Sequence, residues 1–231
     1  MLITIYWGSD YKPLVLRDAV AKWFFMSSLT RRYTNSPESQ MELDLSLLKR
    51  ARDAEEFISI MDNQINTVFT NDYWEITLPN ELLSSSANSP VMFAYYASLN
   101  LLRAKALYSN LMISDLLDST VNPNRSALEK HHLFPKAYLR NLGKDDKYIN
   151  QIANFALVEW NDNLEISDSS PSEYVPKLEE RFSEEELNEM YFWHALPKKW
   201  ENMNYDDFLE KRRKLMANVI REGFKKIAHD E

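Results

Sequence analysis

The stretch EKHHLFPKAYL at residues 129–139, followed by INQIANFALVEWNDNLEISDSSPSEY at 149–174, alternates short β-capable runs with polar loops. His131 to Phe134 and Phe155 to Trp160 combine β-branched, aromatic and aliphatic residues in runs of strand length, so both are predicted strands. Between them, KAYLRNLGKDDKYINQIAN is charged and weakly helical around Gly143. A polar stretch from Asn161 to Ser170 follows, and a helix is predicted to open at Ser170, Pro171, Ser172 and Glu173. Proline is tolerated in a first helical turn, and a carboxylate there meets the positive end of the helix dipole. The order is therefore strand, long connection, strand, helix.

On either side the texture is helical. Residues 13–34 place Leu16, Ala19, Val20, Trp23 and Phe24 at three- and four-residue steps, which predicts one apolar face. Leu43, Leu47 and Leu48, then Phe57, Ile58 and Met61, repeat that spacing further on. Met92 to Leu107 is apolar almost all round and is expected at the centre of the helical part. Near the other end, Tyr205 to Phe224 carries Phe208, Leu209, Leu215, Met216, Val219 and Ile220, with Arg212, Arg213 and Lys214 among them. The predicted class is α+β, mainly α-helical, divided as a helical domain over 1–121, a small module over 122–182 and a helical segment over 183–231 that packs on the rest.

Composition removes several kinds of chemistry. The 231 residues include no cysteine, which excludes disulfides, thiolate metal sites and a cysteine nucleophile. Three isolated glycines, Gly8, Gly143 and Gly223, cannot build a glycine-rich phosphate loop or a dinucleotide-binding turn. The net charge of -8 is unevenly spread: residues 122–150 hold six basic and three acidic side chains, whereas 151–190 hold two and eleven. A basic island thus coincides with the first predicted strand and its connection, where a phosphate backbone would be attracted. The apolar run near Met92 to Ala97 is broken by Asn100, Arg103 and Lys105, short of the roughly 20 residues that span a bilayer. With no secretory leader in the sequence, a cytoplasmic location is expected.

Adjacent histidines on a strand point to opposite faces, so one imidazole of the pair His131 and His132 can hold a metal while the other faces a substrate. Asn154 and Asn163 bracket the second strand, and an amide oxygen ligates a hard cation without adding charge. Such a donor set leaves coordination positions open for water and phosphate oxygens, which is a catalytic arrangement.

These residues resemble the HNH, or ββα-metal, nucleases. The similarity is closest to the carboxy-terminal nuclease domain of the GmrSD-type modification-dependent restriction endonucleases, and the spacing also resembles the HNH domain of the RNA-guided CRISPR nucleases. It is carried by His131 and His132, by Asn154 and Asn163 nine residues apart, and by Pro171, Ser172 and Glu173. The resemblance implies a ββα-metal module embedded between helical segments and cleavage of DNA by metal-assisted hydrolysis. His132 would be the general base, and His131 and Asn163 would hold one divalent cation, most simply Mg2+ or Mn2+. Asn154 would tie the connection to the hairpin and orient the base. The family more often has an acidic residue where His131 stands, and Glu129, Asn161 and Asp162 are alternative ligands.

Long members of the family carry an amino-terminal nucleotide- or modification-sensing domain with a DGQQR-like motif, of which this sequence has no trace. A missing or separate sensor is thus an expected partner beside DNA, and a non-catalytic DNA-binding or partner subunit retaining the fold is the alternative. Arg125, Lys136, Arg140, Arg212 and Arg213 are candidate phosphate contacts, although charge runs such as Lys136 to Lys147 also serve as plain solvated faces. His194, set in YFWHALP among apolar neighbours, is expected to be a buried, hydrogen-bonded imidazole outside the site.

Overall fold

The computed structural model describes residues 13–86, 88–117, 128–159 and 169–227. It is mainly helical, with one two-stranded sheet among the described residues, as the α+β expectation has it. None of its described helices is long and apolar enough to cross a membrane. The chain divides into two compact units, residues 1–77 with 224–231, and residues 78–223. The boundary expected at residue 121 thus falls inside the larger unit.

The smaller unit contains α1 (Pro13–Leu29), α2 (Pro37–Leu48) and α3 (Ala54–Val68). Asp53 caps α3 by accepting the Glu56 N–H at 2.8 Å, and Phe57, Met61 and Ile65 then recur along its buried stripe. Leu16 of α1 joins Phe57 and Met61 in one apolar cluster, with Trp23, Leu48 and Ile58 against it. The face of α1 differs from the predicted one. Leu16 and Ala19 are buried as expected, but Val20 is 51% and Phe24 71% exposed, and Phe25, Met26 and Leu29 take the interior. A helix apolar on nearly every side has no unique stripe, so spacing alone cannot fix its rotation. Phe25, Phe69, Trp74 and Phe224 form an aromatic group, with Phe69 edge-on to Phe224 at 5.0 Å. In α2 the buried residue is Asp44, whose carboxylate accepts from Arg32, Tyr33 and Gln40, while Leu43 is exposed.

The larger unit holds the two strands. Its α4 (Pro90–Leu101) buries Val91, Met92, Tyr95 and Leu99, in keeping with its uniformly apolar sequence. The chain then leaves the helix, and Leu107 N–H donates to Leu157 O at 2.9 Å, adding a short bridge to the free edge of the second strand. β1 (Leu128–His132) pairs antiparallel with β2 (Phe155–Glu159). Their connection contains α5 (Lys136–Asn141), Gly143 at φ 78° in the turn after it, and α6 (Asp146–Ile149).

α7 (Pro171–Glu179) opens where predicted: Pro171 occupies the first turn and the Glu173 carboxylate accepts the Ser170 N–H at 3.0 Å. α8 (Glu184–Trp193) and α9 (Tyr205–Lys226) complete the unit as far as Gly223. Its core is aromatic: Phe134, immediately after β1, packs on Phe208 at 4.8 Å and on Trp200 at 5.9 Å, and Trp200 packs on Phe208 at 5.3 Å. Gly223 of α9 faces Ser98 of α4 so closely that an added Cβ would stand 2.7 Å from the Ser98 Cα.

Candidate functional site

The strand register sets His131 opposite Ala156 and His132 opposite Phe155. Side chains alternate across a strand, so the two imidazoles leave the sheet on opposite faces. His131 is 6% exposed and meets the Tyr174 ring of α7 edge-on, with centroids 6.3 Å apart. The residue across from it is the smallest in β2. His132 is half-buried, its ring lies 4.4 Å from that of Phe155, and its Nε2 is 2.9 Å from Asn150 Oδ1. Burial pushes the His132 pKa below its ordinary value, the Asn150 bond acts against that, Lys136 lowers it further and Asp146 raises it. A neutral imidazole is therefore its state near neutrality.

Asn154 is fully buried at the entrance to β2. Its Oδ1 accepts the Phe134 N–H at 2.9 Å, while Nδ2 donates to Phe134 O at 3.1 Å and to Ile149 O at 3.0 Å. The backbone adds Leu133 N–H to Asn154 O at 2.8 Å. With both amide hydrogens and the oxygen engaged, Asn154 is a clamp that joins the exit of β1 to the end of α6 and has no surface for a substrate. Tyr174 adds a tie between α7 and the sheet by donating to Leu133 O at 2.7 Å.

The expected phosphate contacts separate into three kinds. Lys136 is partly exposed and Arg140 exposed, but both are paired with Asp146: Lys136 Nζ at 3.0 Å, Arg140 through Nε and Nη2 at 3.0 Å each. Those bonds, Arg140 first, hold the Asp146 carboxyl down at about 2. Arg213 is half-buried and donates to Gln151 Oε1 at 3.3 Å. Arg212 is a correction. It has no exposure at all, and its guanidinium donates to Ala153 O at 2.8 Å and twice to His194 O, at 3.1 and 3.2 Å. A cation sealed behind α9 and spent on carbonyls cannot meet a phosphate. Arg125, Asn163, Asn161 and Asp162 lie outside the described residues, and so does the Glu129 side chain.

Among the described residues no three His, Asp or Glu side chains are gathered as a metal site, and His131 is the described member of the expected ligand pair. His194 is buried as expected. Its Nε2 lies 2.9 Å from Lys105 O, and burial pushes its pKa down to about 4.

This chain is similar to an uncharacterized protein of Methanocaldococcus jannaschii. The two are 28% identical over an alignment of 237 positions, which covers 89% of this chain and 37% of the relative's own length. No family model matches the chain, and no solved structure matches it.

Two polar residues near the strands escaped the sequence reading. Asn150 stands four residues before the clamp with nothing in its spacing to single it out. Tyr205, the first residue of α9, donates to the carbonyls of Tyr148 and Ile149 at 3.0 and 3.2 Å, a contact between segments more than fifty residues apart.

Proposed function

We propose that residues 122–182 form an HNH-type ββα-metal module and that the protein is a metal-dependent DNA endonuclease. The observation that carries the proposal is the Asn154 clamp, which occupies the place the resemblance gives to the middle asparagine and fastens the connection beside His132. The antiparallel pair β1 and β2, followed by α7, supplies the strand, strand and helix order that such a module needs.

His132, neutral because burial lowers its pKa, accepts at Nδ1 the proton of the attacking water. His131 and Asn163 would hold one divalent cation. Their chemistry fits one, since an imidazole and an amide oxygen add no net charge and leave positions for water and phosphate. A bound Mg2+ or Mn2+ would supply Lewis acidity to a phosphoryl oxygen and stabilise the charge on the leaving 3′ oxygen. Lys136, whose charge reaches the base, and Arg140, which shares its carboxylate partner, neutralise a DNA backbone that displaces them from Asp146. A role in restriction or phage defence, with a nucleotide- or modification-sensing partner, belongs to the same proposal.

The test is nicking of supercoiled plasmid by the whole chain with Mg2+ or Mn2+ against chelator. Metal-dependent nicking that falls by about 10²-fold or more in a folded His132→Ala variant is the expected result. The alternative reading is a partner subunit that retains the fold and binds DNA without cutting it. Plasmid retardation with no nicking at any metal concentration would favour it.

A further inference from the structure

We infer that Asn150 is a positioning residue for His132, one that fixes which ring nitrogen carries the proton; the inference rests on the nuclease reading for its role in catalysis. Neutral imidazole has one N–H and one lone pair, and its usefulness as a base depends on the lone pair facing the water. Asn150 Oδ1 lies 2.9 Å from His132 Nε2. An amide oxygen can only accept, so it selects the form protonated at Nε2 and leaves the lone pair at Nδ1. Nδ1 has no hydrogen bond to a described residue.

Phe155 lies against the imidazole at 4.4 Å and limits rotation of the ring. Asn150 is itself held in place. It is the C-cap of α6, its own N–H donates to Asp146 O at 3.0 Å, and the preceding carbonyl of Ile149 accepts from both Asn154 Nδ2 and Tyr205 Oη. The residue that aims the base therefore stands on a backbone pinned from two sides, by the clamp and by α9. Asn154 orients His132 only through this chain of bonds, with Asn150 as the group in contact.

The experiment uses the full chain labelled with 15N and records long-range 1H–15N correlations of the His132 ring in the wild type, Asn150→Ala and Asn150→Asp, with nicking kinetics on the same samples. The wild type should show Nε2 protonated and Nδ1 bare. Asn150→Ala should lose that single pattern and lower kcat by roughly 10- to 100-fold, a part of what a positioned base contributes, with KM for plasmid unchanged. Asn150→Asp keeps an acceptor oxygen and should restore the ring pattern and most of the rate. Equal melting temperatures for the three proteins exclude a merely structural loss. An Asn150→Ala protein with the wild-type ring pattern and wild-type kcat overturns the inference and leaves the nuclease reading standing. A wild type that never nicks, but whose ring pattern still depends on Asn150, overturns the nuclease reading and keeps the positioning contact.

Discussion

Acidification should unfold this protein earlier than its carboxylates alone would require, because of His194. Three features oppose a charge on that ring. It is fully buried, its Nδ1 has no hydrogen-bond partner among the described residues, and the Arg212 guanidinium donates to its own carbonyl. Burial is the largest cause, and the pKa falls from 6.5 to about 4. A base with a depressed pKa binds fewer protons when folded than when unfolded between those two values, so stability rises with pH across that window. The contribution is whole above about pH 6.5, declines as pH falls, and is gone below about pH 4, a total of about 3 kcal/mol at 1.36 kcal/mol per unit. Roughly 2.5 kcal/mol of it should be lost by about pH 4.5, a large share of the 5–15 kcal/mol typical of a folded domain. Urea unfolding at about pH 7.5 and about pH 4.5 measures the drop. His194→Gln supplies the control, since a Gln amide can still donate to Lys105 O and does not titrate. The wild type should lose about 2 kcal/mol more than the variant over that interval, and equal losses would refute the account.

Gly223→Ala should destabilise the chain by about 1–3 kcal/mol in urea titration, because the new methyl meets the Ser98 backbone, which cannot yield as a flexible side chain could. Asn154→Ala leaves buried Phe134 N–H and Phe134 O without the amide and Ile149 O with Tyr205 alone, so a loss of roughly 2 kcal/mol or more is expected, with Asn154→Asp also destabilised because its carboxylate cannot donate to the two carbonyls. Asp44→Ala in the smaller unit strands Arg32 and Tyr33, and thermal melting should register about 2–4 kcal/mol. Asp146→Asn releases Lys136 and Arg140 from a carboxylate, so plasmid affinity in a retardation assay should rise several-fold at low salt and converge with the wild type at high salt.

The parts of the fold legible in the sequence are those fixed by local chemistry. Ser170 to Glu173 marks the start of α7 because a proline and a carboxylate each have a physical reason to stand there. The β-rich composition of Phe155 to Glu159 marks β2. β1 begins three residues earlier than predicted, at Leu128, since pairing with β2 extends it through Glu129 and Lys130, residues with weak strand preference. The inward course of Arg212 is legible as well. It lies four residues after Phe208, three after Leu209 and four before Met216, on the buried stripe of α9, so the same spacing that predicts the helix also predicts that this arginine points inward. Its neighbour Arg213 falls off the stripe. The Asn150 contact could not be read, because no periodicity relates a turn residue to a strand residue eighteen positions earlier.

The last helix is the element whose role changes most between sequence and structure. Read along the chain, residues 183–231 look like a helical appendage behind the motif. In the structure, Tyr205 holds the carbonyls of Tyr148 and Ile149, Arg212 holds that of Ala153, and Phe208 packs on Phe134, so α9 touches the strand connection at its middle, its end and its beginning. Asn154 and Asn150 stand between those contacts. A buried arginine with carbonyl acceptors and, among the described residues, no carboxylate partner is an expensive way to hold two loops together, because its desolvation is offset by carbonyl dipoles, the Tyr95 hydroxyl and the Phe208 ring beneath it. Its geometry offers a compensating gain: one planar group fastens the His194 turn and the Ala153 turn at a fixed separation, and three donors aimed at two carbonyls tolerate little sliding. The same buried positive charge disfavours a second one on His194, so the cation that gives the connection its rigidity also makes the unit sensitive to acid.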